Sequence, residues 1–124
     1  MLCPCHSGKA YADCCETYHK GFPAQTALAL MRSRYSAYAL GLVDYIITTS
    51  QTGKQIDKRE IEAFCASTRF ADLEILDVQE SENEATIKFK AVLFQGNRDA
   101  SFIETSQFLK KDNQWLYVSG CVNS

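Results

Sequence analysis

Residues 85–94 have the sequence Ala-Thr-Ile-Lys-Phe-Lys-Ala-Val-Leu-Phe, in which apolar and polar residues largely alternate. Because successive side chains of a β-strand point to opposite faces, Ile87, Phe89 and Leu93 fall on one side of an extended chain. The pattern predicts a strand with one buried face. Three more strands are predicted around it, at residues 73–80, 101–109 and 115–121, with turn sequences at 81–84, 96–97 and 111–114.

The segment before these strands has helical spacing. From Pro23, which suits the first turn of a helix, apolar side chains recur every three or four residues and form one helical face. These residues are Leu28, Met31, Tyr35, Tyr38 and Leu42. Gly41 interrupts the pattern, and a second short helix is predicted to begin at residues 44–47.

A third helix is predicted between a polar loop at residues 50–55 and the first strand. Asp57, followed three residues later by Glu60, resembles a capping box with Asp in the Ser/Thr role. The helix is expected to extend to about Thr68. Helices followed by a meander of antiparallel strands indicate an α+β domain, with the helices packed on one face of a curved sheet.

Four of the six cysteines lie in the first fifteen residues, spaced Cys-x-Cys-x8-Cys-Cys: Cys3, Cys5, Cys14 and Cys15. In a reducing compartment, clustered cysteines favour a metal site over a disulfide framework. Four thiolates can close a tetrahedral shell around Zn²⁺, which is typical of a structural site with no open position. Iron is the alternative metal, and zinc is favoured because a closed mononuclear shell of four sulfurs suits it.

The first 22 residues show little apolar periodicity, so this segment is expected to depend on its metal for order. The predicted organisation is therefore a small zinc knuckle at residues 1–22 and an α+β domain at residues 23–124. The other two cysteines, Cys65 and Cys121, stand alone in apolar stretches and are predicted to be small buried hydrophobes.

Residues 3–15, Cys-Pro-Cys-His-Ser-Gly-Lys-Ala-Tyr-Ala-Asp-Cys-Cys, resemble the SEC-C motif, the zinc-binding element at the C-terminus of the translocase SecA. His6 stands where SecA has Gly, and Cys15 stands where many SecA tails have His. The resemblance implies that the four clustered cysteines are the metal ligands. His19 is the alternative fourth ligand if the adjacent Cys14 and Cys15 cannot both turn inward. Otherwise His6 and His19 are expected to be solvated surface side chains.

Residues 30–38, Leu-Met-Arg-Ser-Arg-Tyr-Ser-Ala-Tyr, follow the knuckle and are similar to the YchJ-like family of uncharacterised bacterial proteins. Similar features continue to residues 108–110 and Trp115, so the resemblance covers nearly the whole chain. It implies a nuclear transport factor 2-like, or cystatin-like, fold, in which a cone of helices packs against a strongly bent antiparallel sheet.

Arg34, Tyr35 and Tyr38 form a candidate pocket on the first long helix. Arg32 and Arg34 are two positions apart and do not share a helix face, so one of them should lean toward the tyrosines. That arginine could line the interior of the cone, where a small anionic ligand could sit. Alternatively, its stem packs on the aromatic rings while the guanidinium caps a carbonyl at the sheet edge or pairs with a carboxylate such as Asp44. The second arrangement is the more common one.

The amino-acid composition argues against several classes of function. Thirteen Lys and Arg against fifteen Asp and Glu give a formal net charge of −2, which does not favour a nucleic-acid partner. The N-terminus lacks the features of an export signal, and no apolar run approaches the length of a membrane span. The protein is therefore expected to be cytoplasmic.

No catalytic constellation can be assembled, because the only two histidines lie in or beside the knuckle and no Gly-rich phosphate loop is present. The leading hypothesis is a zinc-binding protein-interaction module linked to protein quality control, translation or secretion. The SecA resemblance implies a chaperone, the ribosome or a translocation component as partner. The alternative is a small-ligand binder or an enzyme that uses the interior of the cone, with the zinc purely structural.

Overall fold

The structure is a computed structural model that describes residues 1–52 and 56–123. A 3-10 turn at Tyr11–Asp13 leads into four helices, and these are followed by five strands. The helices are α1 (Cys15–His19), α2 (Ala27–Leu40), α3 (Val43–Thr48) and α4 (Lys58–Ser67). The strands are β1 (Arg69–Glu80), β2 (Glu84–Gln95), β3 (Arg98–Asp99), β4 (Phe102–Lys111) and β5 (Gln114–Asn123). Part of the predicted polar loop, residues 53–55, lies outside the described residues.

The strands form one antiparallel sheet in the order β1-β2-β4-β5, and the short β3 pairs with the end of β2. All four predicted strands are confirmed. β1 begins at Arg69, four residues before its predicted start at Leu73. A register shift between Phe70 and Asp72 interrupts the alternation of side chains in the first residues of β1, which hides the start of the strand from a period-two pattern. A second register shift lies between Ile75 and Asp77. Such irregularities also bend a strand, and so they contribute to the curvature of the sheet.

Side-chain caps set the starts of the two longer helices. The Thr26 hydroxyl accepts a hydrogen bond from the backbone N–H of Ala29 (3.0 Å), so α2 begins after Thr26 and the prediction of a first turn at Pro23 is wrong. The Glu80 carboxylate of β1 accepts from the N–H of Ala27 (2.8 Å), which ties the start of α2 to the sheet. Asp57 caps α4, as predicted, by accepting from the N–H of Arg59 (2.9 Å).

The core lies between α2 and the concave face of the sheet. Alternate residues of β2 are buried there, including Ile87, Phe89 and Leu93, as their spacing predicts. Tyr35 and Tyr38 both contact the ring of Phe70 on β1, with ring centroids 5.6 and 6.3 Å apart, so both rings turn toward the sheet. Trp115 at the start of β5 is buried in the same cluster.

The outer face of the sheet is not covered by the helices. Cys121 pairs with Thr105 on this side and is exposed, so the prediction that it is a buried hydrophobe is wrong. Cys65 on α4 is half-buried beside a second small apolar cluster formed by α2, α3 and α4. An isolated cysteine in an apolar stretch therefore does not show which face of a strand it occupies.

Arg34 on α2 holds α3 in place through hydrogen bonds. Its side chain is only 7% exposed, and Nη1 donates to the Ile46 carbonyl (2.9 Å), the Thr49 hydroxyl (2.7 Å) and the Ser50 hydroxyl (3.0 Å). The guanidinium carbon also lies 4.5 Å from the centroid of the Tyr117 ring. The guanidinium caps a carbonyl, as the packing alternative expects, but this carbonyl lies in the last turn of α3 and not at the sheet edge, so that part of the expectation is wrong.

Asp44, the carboxylate proposed to pair with an arginine of α2, instead lies 3.0 Å from the Lys58 ammonium. This contact joins the start of α3 to the start of α4 at the protein surface. The pairing of Asp44 with Arg34 considered from the sequence is therefore wrong.

We expect Arg34→Met to lower the free energy of unfolding by about 3 kcal/mol, because a buried carbonyl and two hydroxyls lose a charged donor. Arg59→Ala, an exposed arginine on α4, should change it by no more than about 0.5 kcal/mol. Urea denaturation of both variants measures the difference. Equal stabilities for the two variants would show that Arg34 does not hold α3 in place.

Candidate metal centre

The cysteine knuckle, residues 1–22, begins with a tight hairpin. The N–H of Cys3 donates to the Lys9 carbonyl (2.9 Å), and Leu2 bridges to Ala10 in antiparallel fashion. Within the hairpin the N–H of His6 donates to the Cys3 carbonyl (3.1 Å), and the chain turns through positive φ angles at His6 and Gly8. This turn brings the side chains of Cys3 and Cys5 to the same side.

Cys14 and Cys15 reach that side from the other end of the hairpin. Cys14 lies between the 3-10 turn and α1 with φ −134° and ψ −112°, which is not a helical conformation. This break in the helical path lets two adjacent side chains point the same way. Both therefore turn inward, which is the condition on which the four-cysteine set depends.

The four sulfur atoms of Cys3, Cys5, Cys14 and Cys15 all lie within 4.8 Å of one another, and we call this group the cysteine cluster. The Sγ atoms of Cys5 and Cys14 are 3.6 Å apart, and those of Cys14 and Cys15 are 3.9 Å apart. A tetrahedron with metal–sulfur bonds of about 2.3 Å has edges of about 3.8 Å. The cysteine cluster therefore has the dimensions of a four-sulfur metal shell, and three of its four side chains are buried.

The thiols of the cysteine cluster interact strongly. A hydrogen bond from Cys15 lowers the pKa of Cys5, and the same interaction raises the pKa of Cys15. Burial raises the pKa of Cys3. Several thiolates in so small a volume repel one another, so deprotonation of all four requires a cation to balance their charge.

His19 lies beside the cysteine cluster but uses both ring nitrogens elsewhere. Nδ1 accepts a hydrogen bond from the Tyr11 hydroxyl (2.6 Å), and Nε2 donates to the Ser33 carbonyl (2.8 Å). Burial lowers the pKa of His19, which favours the neutral imidazole that these two bonds require. The geometry therefore favours a supporting role, in which half-buried His19 attaches the knuckle to α2.

Two further contacts join the knuckle to the rest of the fold. The Nε2 atom of exposed His6 lies 3.4 Å from the Phe70 carbonyl oxygen, and Nδ1 lies 3.8 Å from a carboxylate oxygen of Asp72. Nη1 of Arg32 donates to the Cys5 carbonyl (3.0 Å) and lies 4.0 Å from the Cys5 sulfur. Arg32 thus places a positive charge beside the cysteine cluster.

Sequence reasoning missed this contact of Arg32. The signal was present, because Arg32 and Arg34 are two positions apart and lie on different helix faces. One faces the cysteine cluster and the other faces α3 and the sheet. The predicted pocket residues Arg34, Tyr35 and Tyr38 come together on a different surface, where all three line one cavity.

Comparisons with known proteins agree with this arrangement. Residues 26–120 match the family described as "YchJ, middle NTF2-like domain", and residues 2–17 match the SEC-C motif. The chain belongs to the YchJ family. Its sequence is 39% identical over 127 residues to a UPF0225 protein of Actinobacillus succinogenes, covering 98% of this chain and 82% of that relative. The resemblance to the YchJ-like family is therefore confirmed.

Solved structures similar to this YchJ-family chain confirm the predicted fold. The solution structure of a SEC-C motif containing protein from Rhodopseudomonas palustris has a TM-score of 0.91 and 34% identity, and the match covers 100% of both chains. An NTF2-like protein of unknown function from Shewanella oneidensis has a TM-score of 0.59 and 14% identity, covering 78% of this chain and 95% of that one, which shows the fold alone. The structure is an NTF2-like α+β domain with an N-terminal cysteine cluster.

No helix in the described part of this chain is both long and apolar enough to cross a membrane.

We expect Arg32→Ala to weaken metal binding about tenfold or more, because outer-shell partners of a metal site commonly contribute that much to affinity. Competition with a chromophoric chelator measures the affinity, with Co²⁺ as the probe ion. Arg59→Ala removes the same charge from a site on α4 and should bind Co²⁺ as tightly as the unmodified chain. Equal affinities for both variants would show that Arg32 does not support the cysteine cluster.

Proposed function

We propose that this protein is a zinc-binding protein-interaction module, in which Cys3, Cys5, Cys14 and Cys15 hold one Zn²⁺. The observation that carries the proposal is the approach of all four sulfurs to within 4.8 Å of one another. A closed shell of four thiolates suits Zn²⁺ better than a metal that needs an open position. Zinc bound in such a shell would cross-link the four cysteines and so stabilise the local fold of the chain.

Contacts of the residues around the metal would hold the outer surface of the knuckle in one conformation. Cys3 and Cys5 hold the hairpin, while Cys14 and Cys15 hold the start of α1. His19 and Arg32 then attach this unit to α2. The outside of the knuckle is therefore presented as one rigid patch.

That patch has the character of a protein contact surface. Leu2 is 71% exposed, and its neighbours Lys9 and Ala10 are also exposed. Met1 and Leu2 are adjacent, exposed apolar side chains, and a contiguous apolar patch favours contact with a protein partner. Resemblance to the SecA element supports the ribosome or a secretion-linked chaperone, and with them a role in translation, protein quality control or secretion.

Freshly purified, reduced protein from zinc-supplemented medium should contain one zinc per chain. Cys14→Ser should lose most of it, because three sulfurs leave an open shell. Cys65→Ser and Cys121→Ser are matched controls outside the cysteine cluster and should retain the metal. Elemental analysis measures the zinc content per chain, and near-zero zinc in the unmodified protein would refute the zinc site.

Chelation should unfold residues 1–22 and leave residues 23–124 folded. The apolar core between α2 and the sheet does not include the four sulfurs, so its burial free energy survives removal of the metal. Residue-resolved NMR during a chelator titration should show amide signals of the knuckle collapsing, while those of Arg32 and Ser33 only shift. Loss of all native signals together would refute the proposed boundary at Pro23.

Binding to the partner should depend on the knuckle surface. Leu2→Asp should weaken binding at least about tenfold, as expected for an apolar anchor, and should leave the zinc content unchanged. Val122→Asp introduces the same charge at an exposed site on β5 and is the control. Co-sedimentation with purified ribosomes, and titration with a purified secretion chaperone, measure binding. If neither binds the zinc-loaded chain, the proposed partner class is wrong.

A further inference from the structure

A cavity of about 350 Å³ lies between α2, α4 and the concave face of the sheet. Half of its lining side chains are aromatic, among them Tyr38, Phe64 and Phe102. Glu60 lines the cavity and is exposed, so the cavity reaches the protein surface beside α4. Its size is near the lower end of the range for small-molecule sites.

The positive charge in this cavity already has partners. Arg34 lines the cavity, but Nη1 donates to the Ile46 carbonyl at the end of α3 and to two hydroxyls. Its guanidinium also stacks over the Tyr117 ring. A helix end and an aromatic face both present negative potential, and so they offset the charge of the arginine.

The negative charge in the cavity has no direct ion pair among the described residues, although Arg34 acts on it electrostatically from a greater distance. Glu104 on β4 shares the inward face of the sheet with Ser106 and Phe108, and one carboxylate oxygen accepts a hydrogen bond from the Ser106 hydroxyl (2.6 Å). No cation among the described residues forms an ion pair with Glu104. The carboxylate therefore retains capacity to accept hydrogen bonds in an aromatic surrounding.

We propose that this cavity binds a small organic amine, whose protonated nitrogen donates to Glu104 and whose apolar body packs against the aromatic rings. Aromatic faces attract organic cations, and a carboxylate forms strong charge-assisted hydrogen bonds with ammonium groups. A carboxylate ligand would instead place its charge near Glu104 and Glu60. The proposal is independent of the zinc site, because no residue of the knuckle lines the cavity.

Three probes with one carbon skeleton test the proposal on the zinc-loaded full chain: 3-phenylpropylamine, 3-phenylpropanol and 3-phenylpropanoate. Calorimetric titration should find the amine at least about tenfold tighter than the alcohol, as expected for a charged hydrogen bond, and the acid weakest. Glu104→Gln should remove the preference for the amine and leave alcohol binding unchanged. Glu62→Gln, on an exposed site of α4, should behave like the unmodified chain.

A second measurement needs no variant. Nuclear Overhauser contacts between the bound amine and the rings of Phe102 and Tyr38 should place the probe in the cavity of the unmodified protein. Tighter binding of the acid would overturn the proposal and make Arg34 the anchor. Failure of all three probes to bind, an amine preference that survives Glu104→Gln, or contacts elsewhere on the protein would also overturn it.

Discussion

Hydrogen bonds that the buried side chains of α2 donate, and that one of its carbonyls accepts, join the parts of this protein. The His19 imidazole donates to the Ser33 carbonyl, Arg34 donates to the Ile46 carbonyl, and the Tyr35 hydroxyl donates to the Asp72 carbonyl (2.8 Å). Ser33, Arg34 and Ser36 are all buried, and buried polar groups are costly unless they are paired. These pairings therefore restrict how the knuckle, α3 and the sheet can be placed around α2.

The cysteine cluster and the cavity depend on this same helix. Arg32 reaches the Cys5 carbonyl on one face, while Arg34 and Tyr35 line the cavity on another. His6 of the knuckle lies edge-on to the Tyr35 ring, with centroids 5.9 Å apart. The cysteine cluster is therefore attached to the domain through specific contacts, although its sulfurs are separate from the main core.

The sequence allows prediction of those features that repeat with a regular period or use a local motif. The alternation around Ile87 and Phe89 predicts the buried strand face, and the cysteine spacing predicts a cluster that the structure brings together. Features that depend on distant partners were not predictable. Arg32 meets Cys5 only after the knuckle folds back on α2, and the exposure of Cys121 depends on which face of the sheet the helices cover.

X-ray absorption at the zinc edge, on protein purified under reducing conditions, tests the proposed zinc site most directly because it reports the atoms bound to the metal. Four sulfur neighbours at about 2.3 Å are expected, since both Cys14 and Cys15 turn inward and His19 is engaged by Tyr11 and Ser33. A first shell of three sulfurs and one nitrogen would contradict the four-cysteine set and make His19 the fourth ligand.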